Sequence, residues 1–144
     1  MVERYDLEGK KLPVLPCPHD CVIRRISHEG WFLEFEFEEN IAAHDSVAAI
    51  RPSAWSLVIR YHLLGYGYQY YKWCGKEGRE GFLLKPREAL CRLPEHGGKL
   101  SYLTHYVSRG ALIVVLFKGL TFRRVEMASD YVEYEWIEAD DANG

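Results

Sequence analysis

Two thiols and an imidazole fall within five residues in Cys17-Pro-His-Asp-Cys21. Thiolate and imidazole are the ligands zinc prefers, and a structural zinc site closes a tetrahedron of them. Cys17, His19 and Cys21 are therefore the candidate metal ligands. The C-x3-C spacing is at the loose end for a zinc knuckle, and Cys74 and Cys91 form no second pair at such spacing. The same residues also have a purely structural reading. Pro16 and Pro18 shape a turn, and the His-Asp pair caps a strand that begins at Cys21. A cysteine nucleophile needs a histidine beside it in space, whereas neighbours on an extended chain point to opposite sides. Gly65-Tyr-Gly67 lacks the strand-to-helix setting of a phosphate loop. His28, His44, His62, His96 and His105 are scattered without ligand spacing. No catalytic residue and no cofactor are assigned, so the chain reads as non-enzymatic.

A second chemistry is contact rather than reaction. In Tyr66-Gly-Tyr-Gln-Tyr-Tyr-Lys-Trp73, alternation puts Tyr66, Tyr68 and Tyr70 on one face and Tyr71 and Trp73 on the other. Exposed Tyr and Trp make surfaces for protein partners or for sugar rings. Tyr66, Tyr68, Tyr70 and Trp73 are the candidate partner or ligand surface. The competing reading is an aromatic ladder, with rings packed across strands and only the tips wet. Carboxylates repeat at Glu34, Glu36 and Glu38, and again at Glu133 and Glu135. Such rows can dock a cation or a basic partner, or form the solvated side of a sheet.

The elements that must hold these groups are strands. Trp31-Phe-Leu-Glu-Phe-Glu-Phe-Glu38 alternates with period two, putting Leu33, Phe35 and Phe37 on one side and the glutamates on the other. With Cys21–Ser27 and a turn at His28-Glu-Gly30 it predicts a hairpin. Ile41–Ser53 reads as loop plus a short strand. Ser56–Leu64 and Tyr68–Cys74 read as two strands broken at Gly65–Gly67, followed by a turn over Gly75–Gly81. Pro86 suits a first helical position, and one short helix is predicted over 86–93, with Ala89, Leu90 and Leu93 on its packed face. It ends at Pro94 and Gly97-Gly98. Leu100–Val107 pairs through Ser108-Arg-Gly110 with Ala111–Lys118, whose middle is apolar on both faces and suggests a central, fully covered strand. Thr121–Met127 and Asp130–Ile137 close the chain. Leu33, Phe35, Phe37, Leu57, Ile59, Ile113, Val115 and Trp136 are the predicted core.

The fold class is therefore mainly β: a single domain over 1–144, an antiparallel sheet, sandwich or barrel with one short helix, frayed over about 1–10 and 139–144. The 144 residues suit one domain. Eighteen basic against 21 acidic residues, a net charge of −3, argue against a nucleic-acid binder. A hydrophobic content of 48% excludes global disorder. No basic stretch followed by an apolar run opens the chain and no run approaches spanning length, so a cytoplasmic, membrane-free location with reduced cysteines is expected.

His19-Asp20 with Ile23 and the strand Trp31–Phe37, the helix Arg87–Leu93, the strand Ala111–Gly119 and the ending Tyr131-Val-Glu-Tyr-Glu-Trp136 together resemble a group of short uncharacterised β-rich proteins of Gram-positive bacteria. Some of that group are suspected toxin-immunity proteins. The resemblance implies a small cytoplasmic bacterial protein that works by protein interaction, and it assigns no catalytic residues. Cys17 and Cys21 lie outside the shared pattern. The leading expectation is an immunity-like interaction domain that binds a protein partner or pairs with itself as a dimer. The alternatives are a β-barrel holding a small ligand and a zinc protein using Cys17, His19 and Cys21.

Overall fold

A computed structural model describes residues 1–75, 81–95 and 97–139, with Tyr66 described by its backbone alone. Eight strands form one antiparallel sheet: β1 (Val2–Asp6), β2 (Ile23–Glu29), β3 (Phe32–Phe37), β4 (Ala54–Trp73), β5 (Phe82–Lys85), β6 (Leu100–Ser108), β7 (Ala111–Lys118) and β8 (Thr121–Glu138). The main path runs β2-β3-β4-β8-β7-β6, with β1 on β8 and β5 on β4.

The ribbon of β4 and β8 is the spine. Its lower half pairs Ala54–His62 with Tyr131–Glu138, flanked by β3 and by β1. Its upper half pairs Tyr68–Lys72 with Arg123–Met127, flanked by β5 and by β7. The expected breaks at Gly65–Gly67 and near 128–130 are instead bulges inside continuous strands. Leu63 pairs with Ser129 and Tyr68 with Met127, so Leu64-Gly65-Tyr66-Gly67 stands opposite Ala128 alone. Gly65 and Gly67 hold φ of 56° and 81°, which side-chain-bearing residues rarely adopt. Such an insertion bends the ribbon and increases its twist.

The bend brings the two sheet edges together. Val22 bridges Ser101, the Asp20 amide donates to the Tyr102 carbonyl at 2.9 Å, and the Tyr102 amide donates to the Cys21 carbonyl at 3.0 Å. The sheet is thus a curled half-barrel, closed at one point by the start of β2 against β6. The first residues are not frayed, because Val2–Asp6 pairs with Tyr131–Glu135 as an edge strand. The expected turn over 75–81 and the expected frayed tail fall largely on 76–80 and 140–144, outside the described residues.

The helix predicted over 86–93 is present as α2 (Ala89–Arg92) and a 3-10 turn, Leu93–Glu95, with Leu90 wholly buried. Where Ile41–Ser53 suggested a short strand, the chain forms a 3-10 turn, Ile41–Ala43, and a second one-turn helix, Asp45–Ala48. Each turn buries one apolar side chain, Ile41 in the first and Val47 in the second. The interior is filled by Trp136, Tyr61, Tyr68, Tyr70, Tyr102, Tyr134, Phe35 and Phe37. Leu33, Leu57, Ile59 and Ile113 are buried as expected, but Val115 is only half-buried.

Candidate interaction face

Cys17, His19 and Cys21 are not brought together as a ligand set in this structure. Among the described residues no three His, Cys, Asp or Glu side chains are gathered to hold an ion. The His19 Nδ1 lies 2.8 Å from the Leu103 carbonyl, and its Nε2 faces Asp20 at 3.3 Å. The Cys21 thiol is fully buried; burial, and then the Glu38 charge, push its pKa up to about 12, which keeps it protonated. The segment is the turn that docks onto β6 and closes the half-barrel. Its polar groups are spent on backbone partners, as the structural reading of Pro16–Cys21 expected.

Tyr68 and Tyr70 are not a surface. They are 2% and 1% exposed. The Tyr68 hydroxyl donates to the Arg87 carbonyl at 3.2 Å and tethers α2, while the Tyr70 hydroxyl accepts from Arg123. The physical reason is the bulge. Below it the core positions of β4 are odd-numbered: Leu57, Ile59, Tyr61 and Leu63. Above it they are even-numbered: Tyr68 and Tyr70. β8 switches likewise, from Val132, Tyr134 and Trp136 to Val125 and Met127. Four residues opposed by one shift the phase, and a change of phase exchanges the faces of a strand. Trp73 and its neighbour Tyr71 are thereby turned outward and stay half-exposed.

These two residues open a face that local reading does not assemble. Trp73 meets Phe82 of β5 edge-on, with ring centroids 5.1 Å apart. Leu84, which pairs with Tyr71, is 62% exposed. On the other side of β8, Phe122 is 40% exposed and packs 5.2 Å from Phe117, next to the half-buried Val115. At the centre, the Arg124 guanidinium lies 4.6 Å over both the Tyr71 and the Phe82 rings. It pairs with Glu126 at 3.3 Å. A guanidinium stacked between rings gains cation–π attraction and keeps its plane pressed flat against them. The expectation that β7 is covered on both faces holds for its inner face and, on the outer face, for Ile113, while Val115 and Phe117 are only half-buried. The signal in the sequence was the apolar run Ala111–Phe117 together with Phe122; only tertiary structure joins it to Phe82 and Leu84.

The outer face of the lower half is different. Arg60 joins Glu34 at 3.3 Å and Glu135 at 2.7 Å, and Arg24 reaches Glu36 at 2.6 Å. His62 pairs with Asp130 at 2.5 Å and stacks on Tyr131 at 4.6 Å. Burial raises the Asp130 carboxyl's pKa, but the hydrogen bond from His62, backbone hydrogen bonds and the His62 charge together outweigh this and lower it from its usual value. Glu34, Glu36 and Glu135 are thus paired with arginines of the same sheet, while Glu38 faces His44 in the following loop.

One further titratable group lies inside. The His105 Nε2 sits 3.2 Å from the Leu15 carbonyl, which can only accept, so this nitrogen carries the hydrogen. Its Nδ1 is then the acceptor for the Tyr102 hydroxyl at 2.5 Å. Burial lowers the His105 pKa against the opposing effect of the Leu15 hydrogen bond, leaving a neutral imidazole that ties the 12–18 segment to β6.

No helix among the described residues is long and apolar enough to cross a membrane. No family model, no curated protein and no solved structure matches the chain.

Proposed function

We propose that the protein is a non-enzymatic interaction domain that self-associates, the upper outer face of one copy covering the same face of a second. The observation that carries this reading is the contiguous set Tyr71, Trp73, Phe82, Leu84, Val115, Phe117 and Phe122 around Arg124. An exposed apolar patch of this kind, rich in aromatics and centred on arginine, has the composition of an interface core. Charge complementarity favours a second copy as the occupant. The charged residues among those described on this face are Arg124 and Glu126, and they neutralise each other. Two such faces meet without net repulsion, and a two-fold arrangement lets each Arg124 approach the partner's Glu126.

The test is sedimentation velocity, supported by native mass spectrometry, over about 1–200 µM, the range in which weak specific pairs form. A dimer is expected, and a variant carrying Trp73→Ser and Phe122→Ser is expected to be a folded monomer. A wild-type monomer across the whole range, or a variant that dimerises as the wild type does, overturns the reading.

A further inference from the structure

The inward side chains of β7 run Leu112, Val114, Leu116 and then Lys118; those of β8 run Met127, Val125 and then Arg123 and Thr121. The core stripe thus ends in two cations at the mouth of the half-barrel. Lys118 is 8% exposed. Lys72 stands directly across β4 and β8 from Arg123, a like-charge pairing that costs stability in a sheet. The 3-10 turn after α2 forms the opposite wall. Together Ala89, Arg92, Leu93, Lys118, Thr121 and Arg123, with the backbone at Gly97 and Gly119, enclose a cleft of about 440 Å³.

Three cations and a hydroxyl line this cleft, and among the described residues no carboxylate does. Among the described residues Arg4, Arg24, Arg51, Arg60 and Arg124 each have an acid partner, whereas Arg25, Arg87 and Arg109 have none. Among the described residues Arg92, Lys118 and Arg123 have none either, so it is burial that sets Lys118 and Arg123 apart. One hydrogen of the Lys118 ammonium goes to the Gly98 carbonyl at 2.8 Å, which leaves two undirected. Arg123 donates to the Tyr70 hydroxyl, but its buried Nε has no acceptor. Burying charge without a counter-charge is unfavourable, and this applies to Lys118 and to the Arg123 Nε, while Arg92 is exposed.

We propose that the cleft binds a small phosphate-type oxyanion, either free orthophosphate or a phosphomonoester, with Lys118 and Arg123 at its floor, Thr121 beside them and Arg92 at the rim. Arginine and lysine together supply the charge-assisted donors that such an anion takes. Burial, and then the charge of Arg123, depress the Lys118 pKa.

The experiment is a thermal-unfolding and calorimetric titration of the full chain in phosphate-free buffer, with sodium chloride matching ionic strength. The probes are orthophosphate and ribose 5-phosphate. Saturating anion is expected to raise the midpoint by about 3 °C or more over chloride. Tighter binding of ribose 5-phosphate identifies a phosphorylated metabolite; equal or weaker binding identifies the free anion. Arg92→Gln, at an exposed position, is expected to weaken binding about tenfold, and Lys118→Gln to remove it. Phosphate should also protect Lys118 of the wild type from acetylation, a readout that stands if Lys118→Gln does not fold. No shift beyond chloride with either probe overturns the proposal, as does binding unchanged in Arg92→Gln with no protection of Lys118.

Discussion

The lower and upper halves of the spine share strands, connectivity and an aromatic core, yet their outer faces follow opposite rules. Below the bulge the outward positions include Glu34, Glu36, Arg60 and Glu135, joined by ion pairs to neighbouring strands, with Val58, Glu133 and the Phe32, His62 and Tyr131 rings on the same face. Above it they are Tyr71, Trp73, Phe82, Leu84, Val115, Phe117 and Phe122, and the only charges described are the stacked Arg124 and its Glu126. The lower face is compatible with water as it stands. The upper face exposes an apolar patch that water penalises and a second protein surface would cover. Period-two alternation therefore marks a strand without saying what its far side meets.

The sharpest test of this contrast compares neighbours. Tyr70→Ala should cost about 3–5 kcal/mol, as for a buried aromatic, and Phe35→Ala in the lower half the same. Tyr71→Ala, one residue further on and facing outward, should cost no more than about 1 kcal/mol in the monomer. Urea unfolding measures all three, and a Tyr71 cost equal to that of Tyr70 would break the assigned phase of upper β4.

A pH series separates the interior from both outer faces. His105 is held neutral in the fold with its pKa below the unfolded value of about 6.5. The unfolded chain therefore takes up the proton first as pH falls. Stability is fully present above that value and declines as pH drops through the window toward the lowered folded pKa. His105→Gln should flatten this slope, and an unchanged slope in thermal midpoints between pH 7 and 5 would show that another group sets it. At lower pH Asp130 should contribute a further loss, because its folded pKa lies below the usual carboxylate value and its stabilisation disappears as it protonates.

The charge lattice should yield less. Arg60→Ala removes two partly exposed ion pairs and should cost about 1 kcal/mol, diminishing in high salt. The smallest pair of effects defines the contrast most directly. Glu36→Ala and Leu84→Lys should each change monomer stability by no more than about 0.5 kcal/mol. Only Leu84→Lys should shift the association equilibrium, and a shift from Glu36→Ala of equal size would remove the distinction between the faces.

Much of this was legible locally. Alternation over Trp31–Glu38 and Asp130–Ile137 specifies half-buried strands, because a pleated backbone sends successive side chains to opposite sides. Pro86, Leu90 and Pro94 delimit the helix for equally local reasons, and Ser108-Arg-Gly110 marks its hairpin through the left-handed backbone at Arg109 and Gly110. The absence of knuckle spacing around Cys17–Cys21 already weakened the metal reading, and the fold uses that segment to join the sheet edges.

What local pattern does not contain is phase carried across an irregularity. Leu64–Gly67 is a bulge rather than a turn only because Tyr68–Lys72 finds the same partner strand, β8, that Ala54–His62 uses. That pairing joins residues roughly fifty to eighty-five positions apart, and its register decides that Tyr68 and Tyr70 face inward while Tyr71 and Trp73 face out. The same long-range pairing sets Lys72 across from Arg123 and so joins the β4–β5 pair that holds Trp73 and Phe82 to the β7–β8 pair that holds Leu116 and Arg123. Side-chain type and spacing establish that the chain is β-rich and where its strands lie. Which aromatic residues are core, which are surface, and which cations share a cleft depends on strand register, a property of pairs of distant segments rather than of either segment alone.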